Sequence, residues 1–219
     1  MNIIIEALTL KNAPLFQGIA FGDLERMCDC MSAEATDFKK EEVILLSGDT
    51  INNVGLIVSG RVRIVKEDIN GHSSILAELT APELFGEVFA CAGITQSPVT
   101  VQAAEDSAIL FINYKKIITT CASACSFHAR LIENMLKLVA EKNLALSQKI
   151  EILSKRTTRE KLMCYFDSYR GAEKKFAIPF NREGLARYLC VDRSGMSNEL
   201  CKMRDEGLIK FRKNEFEIF

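Results

Sequence analysis

Residues 191–209 read VDRSGMSNELCKMRDEGLI. Met196, Leu200 and Met203 recur at i, i+4 and i+7, which makes one apolar stripe of an α-helix. The side facing away from that stripe holds Ser194, Asn198 and Asp205, with Arg193 and Ser197 near the front end. These are short hydrogen-bonding groups and a guanidinium, not the Lys–Glu mixture of an ordinary solvated face. Asp192 is placed to cap the start of the helix, and Gly207 suits a left-handed stop at its end. Upstream, Asn181 is placed to cap another helix through Tyr188, and LCVD makes a tight turn between the two. Downstream, LIKFRKNEFEIF alternates Ile209, Phe211 and then Phe216, Ile218 about a polar turn, the pattern of a β-hairpin. Two helices joined by a tight turn and followed by a hairpin form a winged helix-turn-helix.

In that motif the second helix enters the major groove of DNA with its N-terminal residues at the base edges. Arg193, Ser194, Ser197 and Asn198 occupy that part of the helix. Arginine can bond guanine O6 and N7 together, and asparagine can bond adenine N6 and N7. Asn181 and Arg182, at the start of the preceding helix, are placed for phosphate contacts, and Lys213 on the wing, with Lys210 and Arg212, for the flanking backbone. The charge distribution agrees. Residues 151–219 carry 15 Lys and Arg against 11 Asp and Glu, a net charge of +4, whereas residues 1–150 carry 13 against 18. A basic C-terminal part suits a polyanion.

Moving toward the N-terminus, TTREKLMCYFDSY reads as a helix with Leu162, Tyr165, Phe166 and Tyr169 on one face, and KKFAIPF as a short strand closed by Pro179. Before these, residues 127–154 contain neither proline nor glycine. Ile132, Leu136, Val139, Asn143, Leu146, Ile150 and Leu153 are spaced alternately by four and three, a heptad seam with one polar member. Such a seam buries itself against a partner helix, and a single Asn in it favours two strands in one register. A second stripe, Leu131, Met135 and Leu138, is available to pack on the chain's own core. Residues 1–126 are punctuated differently. After a helix near Phe21–Met31 come short strand-like runs: EEVILLSGD, NVGLIVSGRVRIVKED with Gly60 at the bend, SILAEL after an Asn-Gly turn, and VTVQAAEDSAILFI. Many short strands with regular turns indicate a β-sandwich or barrel-like roll. The expected organisation is therefore α+β: a β-roll sensor over 1–126, a dimerisation helix over 127–154 and a winged helix-turn-helix over 155–219.

GLIVSGRVRIV, FGE, the long helix and LARYLCVDRSGMSNELCKMRDEGLI together resemble the Crp/Fnr family, the cyclic-AMP-receptor-like bacterial transcription regulators. The resemblance implies a cyclic-nucleotide-binding-like jelly roll. It also implies a homodimer on an operator with two-fold symmetry, and contact with RNA polymerase. Arg193 matches the family's recognition helix. Ser194 and Asn198 stand where the family often has Glu and a second Arg, so its familiar half-site is not expected. In cyclic-nucleotide-binding members a Gly-Glu pair binds the ribose and an Arg followed by a hydroxyl residue clasps the phosphate. Gly86 and Glu87, followed by Val88, match the first pair, but the Arg position falls at Ser97 and the hydroxyl at Pro98. No arginine occurs between Arg63 and Arg130. A buried cyclic phosphate without a cation would be poorly compensated. The roll is therefore expected to answer to an unidentified small effector and not to cyclic AMP, or to serve as scaffold.

The chain has eight cysteines, no export signal is legible, and no run of eighteen apolar residues occurs. These features predict a cytoplasmic protein with free thiols, most of them small buried hydrophobes. No cofactor is expected. An alternative is a metal- or redox-sensing regulator built on Cys121, Cys125 and His128, which share one helical face at i, i+4 and i+7. The iron–sulfur pattern of the Fnr type needs cysteines near the N-terminus, and residues 1–27 contain none. With no Cys-x-x-Cys and no legible Cys–His–Asp set, an enzyme is not expected. A ligand-binding module without DNA function is the remaining alternative. It would leave the polar helix face unused.

Overall fold

The computed structural model describes residues 11–67, 73–119, 127–171 and 173–219. The chain divides into two compact units, residues 1–140 and 141–219.

The first unit is built on two four-stranded sheets. Helix α1 (Phe21–Cys30) precedes β1 (Glu34–Phe38), β2 (Val43–Leu45), β3 (Asn53–Ser59), β4 (Arg61–Glu67), β5 (Ser73–Thr80) and β6 (Leu84–Phe85). A short helix α2 (Glu87–Cys91), strands β7 (Thr100–Ala103) and β8 (Ser107–Asn113), and a short helix α3 (Tyr114–Ile118) follow. The strand orders are β1-β8-β3-β6 and β2-β7-β4-β5, all antiparallel. Gly60 therefore does not turn a hairpin. It passes the chain from one sheet to the other at φ +85°, and a Cβ there would lie 2.3 Å from Ser107 Oγ.

The central strands β3 and β8 read as nearly continuous apolar runs because both their faces are covered. Val54, Leu56 and Val58 with Ala108, Leu110 and Ile112 point one way, toward Met27 and Met31 of α1 and Leu131 and Met135 further along the chain. Ile57 and Ile109 point the other way, between the sheets, with Val62, Phe85 and Val101. The long helix α4 runs from Phe127 to Ser154, the span its unbroken heptad pattern predicts. Leu131 and Met135 are buried and Leu138 packs against the same core, so the second stripe does pack on the chain's own roll. Asn134, missed in the sequence, donates from Nδ2 to the carbonyls of Leu15 (2.8 Å) and Gln17 (2.9 Å).

The second unit contains helices α5 (Thr158–Arg170), α6 (Arg182–Leu189) and α7 (Arg193–Asp205) and strands β9 (Lys175–Ala177), β10 (Ile209–Arg212) and β11 (Glu215–Ile218). Thr157 and Glu160 start α5 with a reciprocal capping box. The expected hairpin is present, and β9 joins it as a third strand, giving the order β10-β11-β9. Leu162, Tyr165 and Phe166 enter the core as predicted, while Tyr169 is exposed.

One expectation about the cysteines fails. Among the described residues none is fully buried: Cys91, Cys190 and Cys201 are exposed, and Cys28, Cys30 and Cys164 are half-buried. The exposed three close a helix, occupy a turn and face outward from α7, positions that packing does not reach. Cys121, Cys125, His72 and the Asn70-Gly71 turn lie outside the described residues.

Candidate nucleic-acid interface and sensor cleft

Helix α7 is fixed from three sides. Met196, Leu200 and Met203 are fully buried with Leu185, Ala186 and Leu189 of α6, Leu162 and Phe166 of α5, and Ile209, Phe216 and Ile218 of the wing. At its start Asp192 Oδ2 accepts from Gly195 N at 2.6 Å. At its end Leu208 N donates to Met203 O and Gly207 N to Arg204 O, the paired bonds of a Schellman stop. Arg159 of α5 holds its side: Nε donates to Glu199 (2.5 Å), and the two terminal nitrogens donate to Glu206 (2.7 and 2.8 Å). That guanidinium pulls the Glu206 carboxyl below its ordinary range.

The preceding helix is set the same way. Asn181 Oδ1 accepts from Gly184 N at 2.8 Å, which is the predicted cap. The turn into α7 places Cys190 in the left-handed region at φ +51°, with Val191 N bonded to Ala186 O. Lys149 donates to Tyr188 O, and Lys161 donates to Leu189 O at 3.2 Å, so two ammonium groups meet the negative end of α6.

The face of α7 turned away from the core is accessible. Arg193, Ser194 and Asn198 are exposed and Ser197 is half-buried. The side chains of Ser194, Ser197 and Asn198 take no hydrogen bond among the described residues. Arg193 Nε stands 3.6 Å from Glu183 Oε2, with both side chains mostly in solvent. A pair of that kind contributes little and exchanges readily. Lys213 is exposed at the wing tip, in a two-residue connection whose Asn214 ties back to Ile178 through 2.9 and 3.0 Å bonds. Arg182, at the head of α6, is held by the wing. Its guanidinium lies over the rings of Phe211 (4.7 Å) and Phe216 (5.1 Å), and burial pulls its pKa down. Arg204 also faces Phe211, at 5.9 Å.

In the roll, Gly86 caps α2 at φ +81° and Glu87 is buried. Val88 and Pro98 are exposed. Ser97 does not present its hydroxyl to a cleft: Oγ donates to Val99 O at 2.6 Å, while its backbone bonds to Asp49 and Gly48 at 2.8 Å. Aromatic rings pack between the sheets. Phe85 meets Phe111 edge-on at 6.5 Å, and Phe111 meets Phe38 at 6.2 Å. Phe85 lies so close over Gly55 that a Cβ there would sit 2.1 Å from the ring.

Of the seam on α4, Leu136, Leu146 and Ile150 are exposed by 67, 59 and 60%, Asn143 is exposed, and Ile132 and Val139 are half-buried. No helix among the described residues is long and apolar enough to cross a membrane.

Residues 35–124 match the cyclic nucleotide-binding domain family. The chain is 22% identical over 189 residues to the transcriptional activator protein FnrA of Stutzerimonas stutzeri, covering 82% of this chain and 74% of that one. It is 30% identical over 108 residues to the potassium channel KAT1 of Oryza sativa subsp. japonica, covering 49% of this chain but only 14% of the channel's length. Among solved structures it is similar to the Thermus thermophilus catabolite activator protein, with a TM-score of 0.54 at 21% identity over 94% of this chain and 93% of that one. At that identity the structural likeness is one of fold.

Proposed function

We propose that the chain is a member of the Crp/Fnr family and a dimeric, sequence-specific DNA-binding transcription regulator of the cytoplasm, a reading supported by the matched cyclic nucleotide-binding domain and the similarity to FnrA. The observation that carries this reading is the outward face of α7. Ser194 and Asn198 are exposed and unbonded, Arg193 stands at the N-terminus, and Asp192, Arg159, Glu199 and Glu206 hold the helix in place. A surface helix that merely met water would not need such fixing.

In the proposed complex α7 lies in the major groove, Arg193 leaves Glu183 for a guanine edge, and Asn198 reads adenine. Lys213 neutralises a flanking phosphate. The exposed α4 seam pairs two copies, so that two recognition helices meet half-sites about one DNA turn apart. Contact with RNA polymerase is part of the same proposal, and no catalytic role is.

The effector is proposed to be something other than cyclic AMP. Ser97 stands where a phosphate-clasping arginine would be needed and spends its hydroxyl on Val99. Phe85 is buried between the sheets, with Phe38 and Phe111 packed against it. Calorimetry with cyclic AMP should show no heat beyond dilution, and micromolar binding would reverse this part of the reading.

The test of DNA recognition is mobility shift on the region upstream of the protein's own reading frame. Arg193→Ala should cost about 1–3 kcal/mol at one base position and relax specificity there. Lys213→Ala should weaken binding to all sequences alike and reduce the salt slope by about one. Unchanged operator affinity in Arg193→Ala would refute the docking.

A further inference from the structure

The row of α7 that faces away from the core carries one more exposed group. Ser194, Asn198 and Cys201 follow one another at i, i+4 and i+7, and all three are exposed. The Cys201 sulfur takes no hydrogen bond among the described residues. We propose that Cys201 reads the C5-methyl group of a thymine, one base-pair step beyond the adenine met by Asn198. The inference rests on the docking of α7 proposed above.

Four observations converge. The first is chemical. A thiol is a small hydrophobe and only a weak donor. The major-groove edges of the bases offer donors, acceptors and a single methyl group, that of thymine. An apolar side chain in the same row as Ser194 and Asn198 therefore has one well-matched partner in the groove. The second is position. Cys201 lies three residues beyond Asn198, about 4.5 Å along the helix axis. Base pairs repeat about every 3.4 Å, so with the axis along the groove the two side chains meet adjacent pairs. The third is fixity. Leu200 and Met203 are fully buried and Arg159 grips Glu199 at 2.5 Å, so the turn that carries Cys201 is anchored on its inner side. The fourth is the flank. The Arg182 guanidinium, stacked on Phe211 at 4.7 Å, stands within electrostatic reach of the Cys201 sulfur. A fixed cation beside the row suits the backbone phosphate of the strand being read.

The test starts from an operator selected out of random duplexes by the reduced full-length protein. Each thymine is then replaced singly by deoxyuridine, which lacks only the methyl group. Mobility shift should show one sensitive thymine per half-site, beside the adenine whose exchange Asn198→Ala tolerates. There the replacement should weaken wild-type binding about fourfold, the worth of one buried methyl. Cys201→Ser, which exchanges sulfur for a hydroxyl, should bind the two operators alike, and Cys201→Val should keep the preference for thymine. Full discrimination in Cys201→Ser would overturn the inference. If that variant fails to fold, as judged by circular dichroism, the wild-type scan decides: a sensitive thymine away from the Asn198 position overturns it. A wild type that selects a duplex but ignores every methyl in it refutes this inference alone. A wild type that selects no duplex refutes the docking of α7, and this inference with it.

Discussion

Gly55→Ala tests the packing of the roll with a single methyl group. The new Cβ would lie 2.1, 2.4 and 2.6 Å from three atoms of the Phe85 ring. Ordinary carbon contacts are about 3.5–4.0 Å, so the ring must retreat by roughly 1.5 Å. It has nowhere to go. Phe85 is 3% exposed, its backbone pairs with Gly55 itself, and its ring meets Phe111, which in turn meets Phe38. Overpacking of this kind costs about 1–3 kcal/mol, and this site belongs near the upper end. Removing glycine's backbone freedom returns about 0.5 kcal/mol, leaving a net loss of about 2 kcal/mol. For a unit of this size that lowers Tm by roughly 8 °C. Differential scanning calorimetry should show the loss. The paired test is decisive: in a Phe85→Ala background the ring is gone, and Gly55→Ala should cost nothing further. A drop below about 2 °C in the single variant, or an undiminished drop in the double, would refute the packing argument.

Leu146→Glu places a charge in the proposed seam. It loses about 1.5 kcal/mol of burial per copy, counted twice by symmetry. Sedimentation equilibrium should show the dimer dissociation constant raised by at least 100-fold, and an unchanged dimer would rule the seam out. Bonds from Thr157 hold the Glu160 carboxyl below its ordinary 4.5. Its contribution to stability is therefore present above the unfolded-state value and lost as pH falls through the lower folded-state one. The Tm gap between the wild type and Glu160→Gln should be widest near neutrality and close in acid. A gap independent of pH would dismiss the capping role.

Long periodic segments were legible because local chemistry and tertiary burial agree in them. Residues 127–154 carry no helix breaker, and Met196, Leu200 and Met203 form a stripe that packing uses as it stands. Asn181 and Asp192 cap their helices through their own side chains, so the caps too could be read locally. What escaped depends on distance along the chain. Strand β1, EATDF, has little strand character of its own and is held by pairing with the distant β8, Glu34 opposite Phe111 and Phe38 opposite Ser107. The third wing strand, the grip of Arg159 on Glu199 and Glu206, and the meeting of Cys30 with His128 leave no periodic trace. The stacking of Arg182 escaped for a related reason: its position at the head of α6 is local, but the aromatic residues it rests on arrive with the wing.

Arg182 also has a bearing on kinetics. A guanidinium resting on two phenylalanines keeps its charge, since arginine does not deprotonate in proteins, but has surrendered the rotamer freedom a solvated arm retains. A polyanion approaching this end of the molecule meets part of the positive field already frozen in place, and immobilising a rotamer-rich side chain on contact costs about 0.5–1.5 kcal/mol that need not be spent again. In the proposed complex the same stacking would tie the wing to the head of α6, so that the two would meet the duplex together.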